Sequence, residues 1–135
     1  MIDSIGIVGQ GFVGGAVRDA FCTTHKVHAY DKSHAKCSRL IKSIKDLVAE
    51  SDIIFVCVPT PMKKSGECDI SIVEDVLAHL NMCNKMITVL IKSTIPPGTT
   101  RYLNKKYANL NIIFNPEFLT EANAFHDYKN QNRVI

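Results

Sequence analysis

Ser4-Ile5-Gly6-Ile7-Val8-Gly9-Gln10-Gly11-Phe12-Val13-Gly14 decides the fold. A short apolar, strand-like run passes into G-x-G-x-x-G, and a helical stretch over 12–22 follows at once. Strand, glycines and helix in that order are what dinucleotide binding requires. Gly9 permits the tight turn, Gly11 lets the backbone approach a pyrophosphate with no Cβ in the way, and Gly14 allows the helix to pack closely on the strand. The free N–H groups of the helix N-terminus are then aimed at phosphate oxygens.

Working outward, the next strand ends at Ala29-Tyr30-Asp31, which puts an acid 20 positions after Gly11. A carboxylate there accepts hydrogen bonds from both adenosine-ribose hydroxyls and repels a 2′-phosphate. Lys32 follows it, where an Arg suited to bidentate phosphate recognition would serve NADP. The expected cofactor is NAD.

Beyond Asp31, apolar runs rich in Val and Ile alternate with amphipathic stretches, the βαβ rhythm of a parallel sheet covered on both faces. Strands are expected at Ser4–Val8, 27–30, 53–58, 86–92 and 111–114, with a short additional strand over 39–42. Helices are expected at 12–22, 43–50, Ser71–Met82 and 99–107, the third opening on a Ser71-x-x-Glu74 capping box. The fold class is therefore α/β, a doubly wound parallel sheet of Rossmann type, with strand order 3-2-1-4-5-6. In such a sheet the ligand lies outside the carboxyl ends of the strands, where the order reverses. That edge receives Pro59-Thr60-Pro61, Lys92-Ser93-Thr94 and Asn115-Pro116-Glu117. Arg133-Val134-Ile135 reads as the opening of another strand, so the domain is expected to be cut at that point.

Composition excludes several classes. The chain has 135 residues, one domain's worth, and 16 Lys and Arg against 13 Asp and Glu leave a net charge of +3. Its basic residues are scattered, which gives no nucleic-acid groove and no membrane-surface patch. No apolar run approaches the roughly 18 residues a membrane span needs, and no signal peptide opens the chain, which points to the cytoplasm. Five cysteines, none in a C-x-x-C pair, read as reduced thiols rather than disulfides or zinc ligands. Cys57 and Cys22 are expected to be packed in apolar surroundings, and Cys37, Cys68 and Cys83 to lie away from the nicotinamide. The five histidines show no i, i+4 pairing, so no metal site is expected. Lys63-Lys64-Ser65-Gly66 reads as a solvated turn.

Four ordered motifs resemble the nucleotide-sugar dehydrogenases that oxidise UDP-glucose, GDP-mannose and related sugars. They are Gly9 to Gly14; Val56-Cys57-Val58-Pro59-Thr60-Pro61 with Gly66 and Asp69; Lys92-Ser93-Thr94-Ile95-Pro96-Pro97-Gly98-Thr99; and Asn115-Pro116-Glu117-Phe118-Leu119-Thr120-Glu121. The resemblance implies an N-terminal NAD-binding domain, here residues 1–135. A connecting helix and a C-terminal sugar-nucleotide domain carrying the catalytic cysteine would lie beyond residue 135. It implies a four-electron oxidation of a UDP- or GDP-hexose to its uronate, with covalent capture of the aldehyde by cysteine between two hydride transfers. It also implies a homo-oligomer when intact, and no turnover from this part alone.

Carried over residue by residue, the resemblance has Phe12 and Val13 meet the pyrophosphate through their backbones. Asp31 and Lys36 meet the adenosine ribose, and Pro59 and Thr60 line the cofactor side of the crevice. Thr94 would hold water and touch the cofactor, Glu121 would orient or deprotonate that water, and Glu117 would assist beside it. The two glutamates share a face if a helix has begun by Glu117, and burial would have to raise the carboxyl pKa toward neutrality. In a plainer reading Glu117 caps the turn and Glu121 is solvated. Two other functions fit a glycine turn of this kind: a β-hydroxyacid-type dehydrogenase domain, which lacks the Asn115 to Leu119 block, and a non-catalytic NAD-binding module.

Overall fold

Strands with β-branched or aliphatic residues on both faces belong in the middle of a parallel sheet, and five of them form one here. The computed structural model describes residues 1–132; the strand expected at Arg133-Val134-Ile135 lies outside the described residues. The strands are β1 (Ser4–Val8), β2 (Lys26–Tyr30), β3 (Ile53–Val56), β4 (Ile87–Ile91) and β5 (Leu110–Phe114). Their order is β2-β1-β3-β4-β5, with every adjacent pair parallel. Between and after them run α1 (Phe12–Phe21), α2 (Ile44–Ala49), α3 (Ser71–Met82), α4 (Thr99–Lys106) and α5 (Ala124–Lys129).

Successive residues of a strand point to opposite faces, which divides the core in two. Ile54, Val56, Val89, Ile91 and Ile112 face Leu47 of α2, Leu77 and Leu80 of α3 and Leu103 of α4. Ile5, Ile7 and Phe55 face Ala16 and Val17 of α1 and Tyr128 of α5. Full burial of one such aliphatic side chain contributes about 1.5–3 kcal/mol, so both layers are needed to hold the sheet.

The strand expected over 39–42 does not form. Ser38 alone pairs with β2, its N–H donating to the Ala29 carbonyl at 2.9 Å and its hydroxyl accepting from the Ala29 N–H at 2.8 Å. The chain then closes a turn, Ile41 N–H to Ser38 carbonyl at 2.9 Å, which buries Ile41 under α2 and leaves Leu40 exposed. The observed order is thus the expected one with its outermost strand removed.

Helix ends follow local chemistry. Ser43 caps α2, accepting from Asp46 N–H at 3.1 Å, and the Asp46 carboxylate accepts from Lys42 N–H at 3.0 Å. These hydrogen bonds hold the Asp46 carboxyl below its usual range. Lys85 closes the other end, its ammonium donating to the Val48 and Ser51 carbonyls at 2.9 and 3.0 Å. The capping box expected at Ser71 is absent. Asp69, one residue before the true N-cap Ile70, accepts from Ser71 N–H at 2.9 Å, and Glu74 reaches instead to Tyr102 and Lys106 of α4 at 2.9 and 2.8 Å.

The chain leaves β1 through α1 for β2 on one side and returns through α2 to β3 on the other. The order therefore reverses between β1 and β3, and the crevice opens at their carboxyl ends. Among the described residues no helix is long and apolar enough to cross a membrane.

Candidate functional site

The glycine turn lies at that reversal. Gly9 has φ +93° and donates its N–H to the Tyr30 carbonyl at 2.9 Å; a Cβ on it would come within 2.6 Å of the Cys57 carbonyl oxygen. A Cβ on Gly14 would collide with the Gly9 carbonyl oxygen. The protein's own packing therefore requires both. Gly11 differs, because a Cβ there would meet no heavy atom within 4 Å. The backbone at Gly11 is therefore open to a close approach from outside. Gly11 is also the N-cap of α1, which carries no side-chain cap and no acidic residue in its first turn. Its leading N–H groups take no side-chain cap, and the positive end of its dipole lies at the glycine turn. Phe12 is exposed and Val13 half-buried beside it.

Asp31 closes the turn from β2. One carboxylate oxygen accepts from Gln10 N–H at 2.7 Å and the other from Ser33 N–H at 2.8 Å, and each retains a lone pair for a ribose hydroxyl. The Cys37 thiol accepts from Asp31 N–H and donates to the Asp31 carbonyl, both at 3.3 Å. Lys36 is exposed in the 3-10 turn His34–Lys36 just before it. The sequence gives Cys37 no link to Asp31, because a lone Cys carries no positional signal for such a contact.

Across the crevice, Ser93 Oγ donates to the Val58 carbonyl at 2.6 Å and ties the end of β4 to the residues after β3. Pro59 is exposed and Thr60 half-buried; beyond them Met62 pairs with Cys68 to form a small hairpin whose Gly66, at φ +89°, sits in the turn. Lys63 and Lys64 are exposed on it, as a solvated turn requires. Thr94 is exposed just past β4. Cys68, expected to be remote, points its thiol at the Thr94 carbonyl at 3.6 Å, because the hairpin folds back on the strand end.

The two glutamates separate. No helix spans 117–121; a 3-10 turn, Glu121–Asn123, begins at the second glutamate, so they share no helical face. Glu117 turns inward, its side chain 6% exposed, and Oε2 lies 2.8 Å from Lys92 Nζ, whose side chain is 1% exposed. Oε2 is held by charge rather than by a well-directed hydrogen bond, while Oε1 accepts from Phe118 N–H at 3.1 Å. Lys92 also donates to Asn115 Oδ1 at 2.7 Å and lies 5.4 Å from the centre of the Tyr128 ring. Glu121 turns outward and is exposed. It lines a groove of about 470 Å³ with Gly11, Phe12, Gly15, Ala16 and Phe125. Asp127 fixes the start of the 3-10 turn by accepting from Thr120 N–H and Oγ1 at 3.0 and 2.7 Å, bonds that lower its pKa. The α5 helix behind this segment had no sequence expectation.

Burial dominates the thiol beneath the site: the Cys57 pKa is pushed up from 9.0 to about 12. Burial likewise raises the Tyr128 hydroxyl, with the Glu117 charge adding to it. Among the described residues no cluster of three or more His, Cys, Asp and Glu side chains is placed to hold a metal ion. The open backbone at Gly11, the uncapped α1 and the Asp31 carboxylate fit a dinucleotide.

Comparison with known proteins agrees. Residues 32–135 match the sequence model of the UDP-glucose/GDP-mannose dehydrogenase family, NAD binding domain. A UDP-glucose 6-dehydrogenase of Rickettsia bellii is 29% identical over 98% of this chain and 38% of its own length. The structure of a UDP-glucose dehydrogenase from Pyrobaculum islandicum superposes with a TM-score of 0.86 at 25% identity, over 99% of this chain and 40% of that one. A GDP-mannose dehydrogenase from Pseudomonas aeruginosa gives 0.77 at 26% identity, over 92% of this chain and 38% of that one. The chain thus spans about two fifths of the length of these relatives. The family model's match begins one residue past Asp31, while the alignments to the Rickettsia and Pyrobaculum proteins cover nearly the whole chain. The chain belongs to the UDP-glucose/GDP-mannose dehydrogenase family and is its NAD-binding domain.

Proposed function

We propose that this domain serves a nucleotide-sugar 6-dehydrogenase, which oxidises a UDP- or GDP-hexose to its uronate in two NAD-dependent hydride transfers. The observation that carries the reading is the glycine turn itself: Gly9 and Gly14 leave no room for a Cβ, Gly11 stays open at the uncapped start of α1, and Asp31 holds the turn through Gln10. NAD, when bound, accepts the hydride. The N–H groups of Gly11, Phe12 and Val13 hold the pyrophosphate, with Gly9 and Gly14 keeping the turn tight enough to present them. Asp31 accepts from the adenosine-ribose hydroxyls, and Lys36 covers the same ribose from the following turn. Pro59 and Thr60 form the facing wall.

Thr94, exposed where β4 ends, holds the water that completes the oxidation, and Glu121 orients that water and takes its proton. Glu117, buried against Lys92, assists by fixing the segment that carries Glu121. The nucleophilic cysteine and the sugar-nucleotide pocket belong to residues outside 1–135. Cys57, with its thiol proton held to about pH 12, is a poor nucleophile at neutral pH.

Residues 1–135 alone bind NAD without turning over a sugar nucleotide. NAD titration followed by amide NMR tests this: shifts are expected at Gly9 to Gly14, Asp31, Thr60 and Thr94. NADH should not form with UDP-glucose or GDP-mannose. Shifts confined to α3 and α4 would refute the site, and turnover lost on mutating one of the five cysteines would place the nucleophile inside this chain.

A further inference from the structure

Among the described residues Lys92 is the one charged residue buried as a whole, and the Glu117 carboxylate turns in beside it. An ammonium removed from water is costly unless its surroundings replace the lost hydration. Three groups do so here, and all come from the chain after β5. Asn115 Oδ1 lies at 2.7 Å, Glu117 Oε2 at 2.8 Å and the centre of the Tyr128 ring at 5.4 Å. Asn115 and Glu117 start the segment that crosses the sheet edge; Tyr128, in α5, ends it. Between these anchors the chain has no strand, and its middle carries Glu121 against Gly11 and Phe12.

We infer that Lys92 is a positioning residue: its buried ammonium gathers both ends of the 115–128 segment under the sheet edge and so sets where Glu121 crosses the glycine turn. An apolar pair of equal volume would fill the same space, as buried ion pairs elsewhere are replaced without loss of the fold. Such a pair has no directional demand on Asn115 and Glu117. The charge therefore supplies placement more than stability. The inference deepens the cofactor reading only where it predicts an effect on NAD; the placement of the segment is independent of it.

The test uses the full chain with Lys92→Met and with the double variant Lys92→Met/Glu117→Gln. Lys92→Met strands the Glu117 charge and is expected to lower the melting temperature by on the order of 10 °C. The double variant removes both charges and regains most of that loss. In the NAD-free double variant, hydrogen exchange of residues 117–123 is expected to accelerate about tenfold while β1, β3 and β4 exchange as in the unmodified protein. NAD affinity should fall about fivefold, or roughly 1 kcal/mol. A double variant whose 117–123 amides exchange at the original rate would overturn the inference. So would loss of the whole fold in both variants, which would make Lys92 a residue of global stability. If the unmodified chain fails to bind NAD, the cofactor reading falls while the exchange result still decides the role of Lys92.

Discussion

The carboxylate of Asp31 accepts the Gln10 N–H at 2.7 Å, so the residue just after β2 also clamps the glycine turn that follows β1. A group proposed to select the cofactor therefore shapes the cradle for it as well. Substituting it changes affinity through two routes.

Asp31→Asn keeps an acceptor for Gln10 but removes the charge that repels a 2′-phosphate. It is expected to weaken NAD by about tenfold, near 1.4 kcal/mol, and to erase the preference over NADP. Asp31→Ala should weaken both dinucleotides, because the turn loses its clamp. Calorimetry with each dinucleotide checks the pair; equal NAD and NADP affinities in the unmodified protein would remove Asp31 from the ribose.

The glycines should divide by role. Gly14→Ala forces a Cβ into the Gly9 carbonyl oxygen and should cost about 1–3 kcal/mol of stability, read as a lower melting temperature. Gly11→Ala, at φ −82° with nothing within 4 Å, should melt within a degree or two of the parent yet bind NAD more weakly.

Cys57 titrates from about 12 in the folded chain against an ordinary value of 9.0. Its folded pKa is raised, so its contribution is complete below pH 9 and is lost as pH rises from 9 to 12. The unfolded chain releases the proton first, and stability should fall by up to about 1.4 kcal/mol per pH unit there. The Tyr128 shift acts in the same direction. Denaturant melts at pH 8 and above 9, on the parent and on Cys57→Ala, should show a shallower alkaline slope in the variant. At pH 8, Cys22, exposed at the end of α1 rather than packed as expected, should react with iodoacetamide while Cys57 stays unmodified.

Most of the sheet was legible because buried parallel strands read as continuous apolar runs, as in Ile53–Val56 and Ile87–Ile91. The 39–42 strand failed since Arg39 and Lys42 flank a two-residue apolar core, too short to pair beyond the Ser38 rung. The capping box failed because Asp69, two residues earlier, competes for the Ser71 N–H. At the candidate site, the local order of strand, glycines and helix is what marks the glycines and Asp31 as candidates. The Lys92–Glu117 contact joins residues 25 apart in sequence, and nothing local marks one charge as the other's buried partner. Cys68 near Thr94 is the same kind of long-range fact, set by the fold of a hairpin.

Calorimetric titration of NAD into residues 1–135, beside the same titration into Gly11→Val, tests the central claim most directly. One saturable site per chain is predicted for the parent, with binding lost in Gly11→Val at an unchanged melting temperature. No heat of binding from a folded parent, or equal binding by Gly11→Val, would contradict it.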